Sequence, residues 1–275
     1  MSVLPEFLGI GAERSGTSWL DTLLRNHPRL YLPQQRKEVR YFDLYFDRGV
    51  EWYQGFFSGV GEGQTAGEFS PTYLYSREAP GRIRSLLPDC RFLAILRHPV
   101  DRSFSHYQYW RRNRDYRGSF EDFLRDHPDV IERGFYAGQF RRYLDLFPPE
   151  RFLVFVFEQA VQSPAETLER LASFLGIPAS GFRADLATQR VNDSEPVRFT
   201  GLLAGARTLS GVLRRYDLDR VVNAAKRAGL VKLFGRGEKG PGLAKDLRAS
   251  LGERYREEVR ALEEMLPLDL SRWEI

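Results

Sequence analysis

The sequence is poor in the residues that build disulfide frameworks and metal sites. It contains a single cysteine, Cys90, among 275 residues, which excludes a disulfide scaffold and a cysteine-ligated zinc site. Its four histidines, His27, His98, His106 and His127, have neither the H-x-x-H nor the H-E-x-x-H spacing of zinc sites. We therefore expect no metal cofactor. Low cysteine content is also typical of a reducing compartment, so we expect a cytoplasmic protein.

Long apolar runs and a strong charge excess are missing as well. No stretch approaches the roughly 20 apolar residues that a membrane-spanning helix needs. The first predicted strand lies so close to Met1 that we expect no secretion signal. Net charge is only +4, from 41 lysine and arginine residues against 37 aspartate and glutamate residues. This balance, without a recognisable nucleic-acid-binding motif, disfavours DNA or RNA as a partner. No pattern in the sequence indicates an oligomeric state.

Apolar runs alternate with amphipathic segments over the first two thirds of the chain. The apolar runs predict strands over residues 4–10, 65–69, 91–96 and 151–157. The segments between them predict helices over residues 17–26, 80–87, 99–112, 119–125, 138–147 and 165–175. Continuous apolar strands separated by helices indicate a central parallel sheet covered on both faces, which is a three-layer α/β fold.

The pattern changes after residue 178. Residues 181–200 are polar and irregular, and helical segments follow around residues 203–230. A long amphipathic helix is predicted from about residue 244 to residue 265. We predict one domain over residues 1–275, with an α/β nucleotide-binding core over 1–178 and a mostly helical C-terminal part over 179–275.

The most informative motif lies near the N-terminus. An apolar strand is followed by Gly11-Ala-Glu-Arg-Ser-Gly-Thr-Ser18 and then by a helical pattern. The spacing G-x-x-x-x-G-T-S is that of a Walker A loop with Thr17 in place of the lysine. Such a strand–loop–helix unit directs backbone N–H groups toward an anion. The motif predicts a 5'-phosphate site, and the missing lysine disfavours a magnesium-bound nucleoside triphosphate.

A second candidate phosphate site follows the strand over residues 91–96. Arg97 and Arg102 come at its carboxyl end, and Ser105 lies on the first turns of the next helix. Arginine side chains and a hydroxyl group suit a phosphate dianion. The alternative is that Arg97 simply pairs with a neighbouring carboxylate such as Asp101. Together the two elements favour a nucleotide that carries two separate phosphate groups.

In these segments the chain resembles the sulfotransferases that use 3'-phosphoadenosine 5'-phosphosulfate (PAPS). It is most similar to the carbohydrate branch, typified by the heparan sulfate sulfotransferases, and to its bacterial relatives. The resemblance rests on residues 11–24, 27–28, 37–43, 68–73 and 96–107. It implies a P-loop-like α/β fold and sulfuryl transfer from PAPS to an acceptor hydroxyl, with adenosine 3',5'-bisphosphate as product. The acceptor would be a small molecule or a saccharide.

The resemblance also implies roles for individual residues. Glu38 falls where the carbohydrate branch has its general base, although a plain surface pair with Lys37 is the alternative. Arg14 stands where the loop usually carries a lysine, so Glu38, Arg14 and Lys37 are the catalytic candidates. The cofactor-binding candidates are Arg14, Ser15, Gly16, Thr17, Ser18, Trp19, Arg97, Ser105, Tyr136 and Lys239. Core packing is the alternative for Tyr136, and a plain surface loop is the alternative for Lys239.

The chain departs from the family pattern at Phe69. The carbohydrate branch tends to have Glu-Lys there, and this chain has Glu68-Phe69. The positive charge of that lysine is therefore missing, and we expect either that Lys37 or Arg14 replaces it or that turnover is slow. We also expect Glu68 to contact the acceptor. His106 is an alternative candidate for the general base. Its position in the helix predicted to bind the 3'-phosphate disfavours that role. Two other functions stay open: a P-loop kinase that uses ATP, and a nucleotide-binding module with weak catalysis.

Overall fold

The computed structural model describes residues 3–188, 219 and 242–273. Within these residues, five strands form one sheet in the order β2-β3-β1-β4-β5, and every neighbouring pair is parallel. The strands are β1 (Phe7–Gly11), β2 (Leu30–Tyr31), β3 (Thr65–Phe69), β4 (Arg91–Leu96) and β5 (Phe152–Val156). The predicted parallel sheet is confirmed, with β1 at its centre.

Helices cover both faces of this sheet. They are α1 (Thr17–Arg25), α2 (Gly49–Gln54), α3 (Ala79–Leu86), α4 (Pro99–Asn113), α5 (Phe120–Asp126), α6 (Asp129–Glu132), α7 (Tyr136–Leu144), α8 (Phe157–Gln162), α9 (Pro164–Leu175), α10 (Ala184–Thr188) and α11 (Lys245–Met265). Short 3₁₀ turns lie at Phe46–Arg48, Gly55–Phe57, Pro149–Arg151 and Ala179–Gly181. None of the described helices is both long and apolar enough to cross a membrane.

Alternate residues of the central strands pack into two different cores. On β4, Phe92, Ala94 and Leu96 face the core that α7 and α11 cover. Leu93 and Ile95 face the core that α1 and α9 cover. Because side chains alternate across a strand, a run that is apolar at every position buries both of its faces. This is the three-layer arrangement that the sequence predicts.

The predicted elements agree closely with the structure where they are described. The predicted strands and the helices before residue 178 have ends within three residues of those observed. The long C-terminal helix is confirmed as α11, and Leu251, Tyr255 and Leu262 on it are buried. The short strand β2 and helices α2, α6, α8 and α10 were not predicted, because each is too short to show a periodic pattern. Helix α10 lies in the segment 181–200 that was expected to be irregular. The helical segments predicted around 203–230 lie outside the described residues, apart from residue 219.

Candidate nucleotide and sulfuryl-transfer site

Both predicted phosphate elements lie at the carboxyl edge of the sheet. The loop after β1 leads into α1, and residues 97–98 connect β4 to α4. Strands β1 and β4 are neighbours, and the backbone N–H of Ala12 donates to the carbonyl of Ile95 at 2.8 Å. Ligands of open α/β sheets bind at this edge. The two elements are therefore held side by side.

The loop has the backbone of an anion cradle. Gly16 precedes α1 in the left-handed region with φ 97°, and no side chain caps the helix. A Cβ atom on Gly16 would lie 2.4 Å from the ring of Phe157, so both conformation and space require glycine. Ser15 is wholly buried, and its Oγ atom has no hydrogen-bond partner within the described part of the chain. These features fit a bound phosphate group.

Arg14 connects the two phosphate elements. Its Nη2 atom lies 3.5 Å from the Oγ atom of Ser105, and its guanidinium group stacks 4.6 Å above the ring of Tyr109. Burial lowers the pKa of Arg14, and the charges of Arg97 and Arg102 lower it further, against the opposing effect of Glu13 and Tyr109. This concentration of positive charge favours the binding of an anion.

Arg97 is not paired with Asp101. Its guanidinium group lies 5.3 Å from the ring centre of Phe157, while Asp101 forms a two-bond ion pair with Arg248 on α11. The alternative explanation for Arg97 is therefore wrong. Arg102 is fully buried, and its Nη2 atom donates to Ser103 Oγ at 3.0 Å.

Two predicted ligands have their side chains in the core. Trp19 is 4% exposed, and its indole N–H donates to the carbonyl of Ala187 at 3.1 Å. Its backbone N–H donates to the carbonyl of Gly16, so it contributes to the loop only through the main chain. The hydroxyl of Tyr136, 1% exposed, donates to the carbonyl of Arg97 at 2.9 Å and supports that residue from behind. Lys239 lies outside the described residues.

Lys37 reaches the phosphate loop from a separate segment. Its Nζ atom donates to the Oγ atom of Ser18, on the first turn of α1, at 2.7 Å. The ammonium group therefore lies beside the loop whose own lysine is replaced by Thr17. A lysine at this place supplies the positive charge that neither Thr17 nor Phe69 provides. The simple surface pair of Lys37 with Glu38 is not what the structure contains.

Glu38 lies next to Lys37 in a partly buried position. Burial raises the pKa of Glu38 above its usual value, and the nearby carboxylates of Glu13 and Asp21 raise it further, against the charges of Lys37 and Arg40. A raised pKa makes a carboxylate a stronger proton acceptor. The structure thus brings Arg14 together with Ser105 and Lys37 together with Ser18. Glu38 follows Lys37 directly in the chain.

Three residues of the site were missed by the sequence reasoning. Glu13 forms an ion pair with Arg133 at 3.1 Å. Burial raises the pKa of Glu13, but His106, Arg133, Arg102 and Arg14 outweigh this and lower it. No pattern marks such a loop residue in advance.

Tyr109 and Arg112 lie one and two helical turns after Ser105 on α4 and are the other missed residues. Burial and the charge of Arg14 lower the pKa of Arg112 to about 10, so Arg112 belongs to the same positive cluster. The helical spacing of the two residues from Ser105 was the available signal.

The expectation that Glu68 contacts the acceptor is wrong. Its side chain is fully buried, and the hydroxyl of Tyr73 donates to its Oε1 atom at 2.5 Å. Burial raises the pKa of Glu68 to about 8. Phe69 is also fully buried, and a Cβ atom on Gly9 would lie 2.2 Å from its ring. Phe69 therefore fills the space above Gly9 in the core.

His106 is held in a neutral form. Burial lowers its pKa to about 4, and the charges of Arg102, Arg14 and Arg133 act in the same direction against Glu13. Within residues 3–188, 219 and 242–273, no three His, Cys, Asp or Glu side chains group as a metal site would require.

Residues 4–195 match the family described as the sulfotransferase domain. The chain is 32% identical over 195 residues to the human bifunctional heparan sulfate N-deacetylase/N-sulfotransferase 3, covering 63% of this chain and 22% of that protein. It is 31% identical over 181 residues to the mouse heparan sulfate glucosamine 3-O-sulfotransferase 6, covering 63% of this chain and 52% of that protein.

A solved sulfotransferase from Alicyclobacillus acidocaldarius has a similar fold. The two structures superpose with a TM-score of 0.72 at 25% identity, over 99% of this chain and 100% of the other. The chain belongs to the sulfotransferase family, as its motifs predicted. It spans about half or less of the length of the curated relatives named above.

Proposed function

We propose that this protein transfers a sulfuryl group from PAPS to a hydroxyl group of an acceptor. The observation that carries the proposal is the contact between Lys37 Nζ and Ser18 Oγ at 2.7 Å. This contact joins the segment of the candidate base to the phosphate loop. Membership of the sulfotransferase family supports PAPS as the donor.

The residues present fit such a nucleotide. The cradle would receive the 5'-phosphosulfate through the backbone of residues 15–18, and the unpartnered hydroxyl of buried Ser15 fits a ligand oxygen. Arg97 and Ser105 would hold the 3'-phosphate. When bound, PAPS supplies an activated sulfuryl group and a phosphate leaving group.

Three side chains supply the chemistry around this donor. Glu38 accepts the proton of the acceptor hydroxyl, and its raised pKa suits that task. Lys37 and Arg14 hold positive charge beside the loop, where negative charge develops on the leaving phosphate. Fixed cations in a partly buried site stabilise such charge more strongly than water does.

We propose a saccharide hydroxyl as the acceptor. The curated relatives are named for heparan sulfate and, in one case, for its glucosamine. The cytoplasmic location and the organisation as one domain over residues 1–275 remain predictions.

The donor proposal is tested by comparing nucleotides in isothermal titration calorimetry. Adenosine 3',5'-bisphosphate should bind at least tenfold more tightly than AMP, because a charge-assisted phosphate contact contributes roughly 1.5–3 kcal/mol. Equal affinity for the two, or tighter binding of magnesium ATP, would refute it and favour the kinase alternative. Transfer of ³⁵S-sulfate to heparan oligosaccharides and to simple alkyl and aryl alcohols then tests the acceptor.

A further inference from the structure

The candidate base stands on a segment without regular secondary structure. Residues 37–43 form neither helix nor strand, so their backbone N–H groups lack the partners that such elements provide. Arg40 in this segment adopts a left-handed conformation with φ 60°. A non-glycine residue in that region costs free energy and persists only where its surroundings impose it. Some other part of the molecule must therefore hold the segment in place.

Two side chains in the turn after β3, Ser70 and Tyr73, accept hydrogen bonds from these N–H groups, and Glu68 at the end of β3 holds the second of them. Ser70 Oγ accepts from the backbone N–H of Arg40 at 3.0 Å. The Tyr73 hydroxyl accepts from the backbone N–H of Phe42 at 3.3 Å and donates to the Glu68 carboxyl at 2.5 Å.

All three acceptors are rigidly held. Glu68, Ser70 and Tyr73 have no solvent exposure, and the backbone N–H of Ser70 donates to the carbonyl of Gly9 on β1. The side chains of Val39 and Phe42 are buried in the same core. The segment is therefore attached to the sheet edge that also carries the phosphate loop.

We infer that Glu68, Ser70 and Tyr73 form a positioning network that sets the orientation of Glu38 relative to the phosphate loop. None of the three touches the reacting atoms. They act through the backbone N–H groups of residues 40 and 42, which follow Glu38 in the chain. Ser70 and Tyr73 accept from these two groups, and Glu68 accepts from the Tyr73 hydroxyl. This inference rests on the proposed function, since it assigns the network to the base of that reaction. A displacement of about 1 Å at a reacting group lowers a rate by about 10²-fold.

Tyr73→Phe and Ser70→Ala test the network, with Tyr143→Phe as the matched control. Tyr143 is as deeply buried as Tyr73, and its hydroxyl donates to the carbonyl of Tyr73 at 2.9 Å. The control thus loses one buried hydroxyl, while the backbone N–H groups of residues 40 and 42 keep their acceptors. Similar decreases in the unfolding temperature are expected for Tyr73→Phe and Tyr143→Phe.

Hydrogen exchange measured by mass spectrometry on the free protein gives the first readout. Peptides covering residues 38–43 should exchange at least tenfold faster in Tyr73→Phe and Ser70→Ala than in the unmodified protein. In Tyr143→Phe their exchange rate should be unchanged. Unchanged exchange in both test variants would overturn the network. This measurement needs neither PAPS nor a sulfuryl acceptor, so its result is independent of the proposed function.

Kinetics with PAPS and the acceptor that is sulfated fastest give the second readout. The kcat of Tyr73→Phe should fall about 10- to 100-fold, with KM and bisphosphate affinity within twofold of normal and with Tyr143→Phe nearly unaffected. An equal loss in Tyr143→Phe, or full activity of Tyr73→Phe, would overturn the positioning role. Failure of the proposed function has another signature, because no acceptor would then be sulfated and adenosine 3',5'-bisphosphate would bind no more tightly than AMP.

Discussion

Lys37 and Ser18 are linked across two separate segments, because the Lys37 Nζ atom donates to Ser18 Oγ at 2.7 Å. The phosphate loop itself has Thr17 where a Walker A loop has lysine, and β3 ends in the buried Phe69. The ammonium group beside the loop therefore comes from the segment that also carries Glu38. One short segment thus supplies both a cation and a candidate base.

We predict that Lys37→Met lowers kcat by at least tenfold. The variant keeps the length of the side chain and removes the charge that stabilises the leaving phosphate. Lys37→Arg should restore part of the activity. Lys245→Met is the control, because Lys245 is exposed at the start of α11. Steady-state kinetics of the unmodified protein and of the three variants test this prediction. A normal kcat in Lys37→Met would show that Arg14 alone provides the cation.

Glu38→Gln should abolish most turnover while leaving nucleotide binding intact. General-base assistance contributes about 10²–10⁴-fold in rate, and Glu38 is not among the residues proposed to hold the phosphates. Burial raises the pKa of Glu38 above its ordinary value of 4.5. In the unmodified protein kcat should therefore fall as pH decreases through a value above 4.5. Near-normal kcat in Glu38→Gln would mean that another group accepts the proton.

Arg97→Ala should have the opposite effect and weaken nucleotide binding first. Loss of a charge-assisted contact to the 3'-phosphate should weaken binding of adenosine 3',5'-bisphosphate by roughly 1.5–3 kcal/mol, or about 10- to 150-fold. Binding of AMP, which lacks that phosphate, should change little. Arg117→Ala is the control, since the Arg117 side chain is 85% exposed. Equal losses for both nucleotides in calorimetry would contradict a 3'-phosphate contact.

Gly16→Ala should destabilise the protein and disturb the loop. A side chain at φ 97° is strained by about 1–2 kcal/mol, and its Cβ atom would also meet the Phe157 ring at 2.4 Å. Gly81→Ala is the control, because Gly81 lies within α3 with nothing within 4 Å of an added Cβ atom. That variant should gain about 0.5–1 kcal/mol from helix propensity. Urea unfolding measures the stability of the two variants. Equal stabilities of Gly16→Ala and Gly81→Ala would contradict the strain predicted at Gly16.

Glu68 should make stability depend on pH. Its pKa is raised from 4.5 to about 8 by burial, so the folded state retains a proton that the unfolded state has lost. The free energy of unfolding should therefore fall as pH rises from 4.5 toward 8, by at most about 1.4 kcal/mol per pH unit from this group. The slope should flatten above about pH 8.

Glu68→Gln isolates this effect, because it removes the ionisable group and keeps a similar shape. The histidines act in the opposite sense, since burial lowers the pKa of both His98 and His106 to about 4. Their contribution to stability is full above pH 6.5 and is lost as pH falls toward 4. Urea unfolding at several pH values measures the free energy of unfolding. Above pH 6.5 this free energy should decrease less with rising pH in Glu68→Gln than in the unmodified protein. Parallel curves for the two proteins would contradict a protonated Glu68.

The sheet and the loop were predictable because their signals are local. The continuous apolar runs of β4 and β5 indicate strands buried on both faces, and the spacing from Gly11 to Ser18 indicates a phosphate cradle whatever the rest of the chain does. The parallel order of the strands follows from the helices between them. The phosphate loop and the element from Arg97 to Ser105, in this order and at this separation, together indicated the family.

Tertiary structure alone decided which of these side chains meet. Lys37 and Ser18 are 19 residues apart, and no sequence period relates an irregular segment to a helix start. The same holds for the pairing of Asp101 with Arg248, which leaves Arg97 beside Phe157, and for the burial of Glu68 under Tyr73. A local pattern reports the faces of one element, whereas contacts between elements depend on how their packed faces fill space.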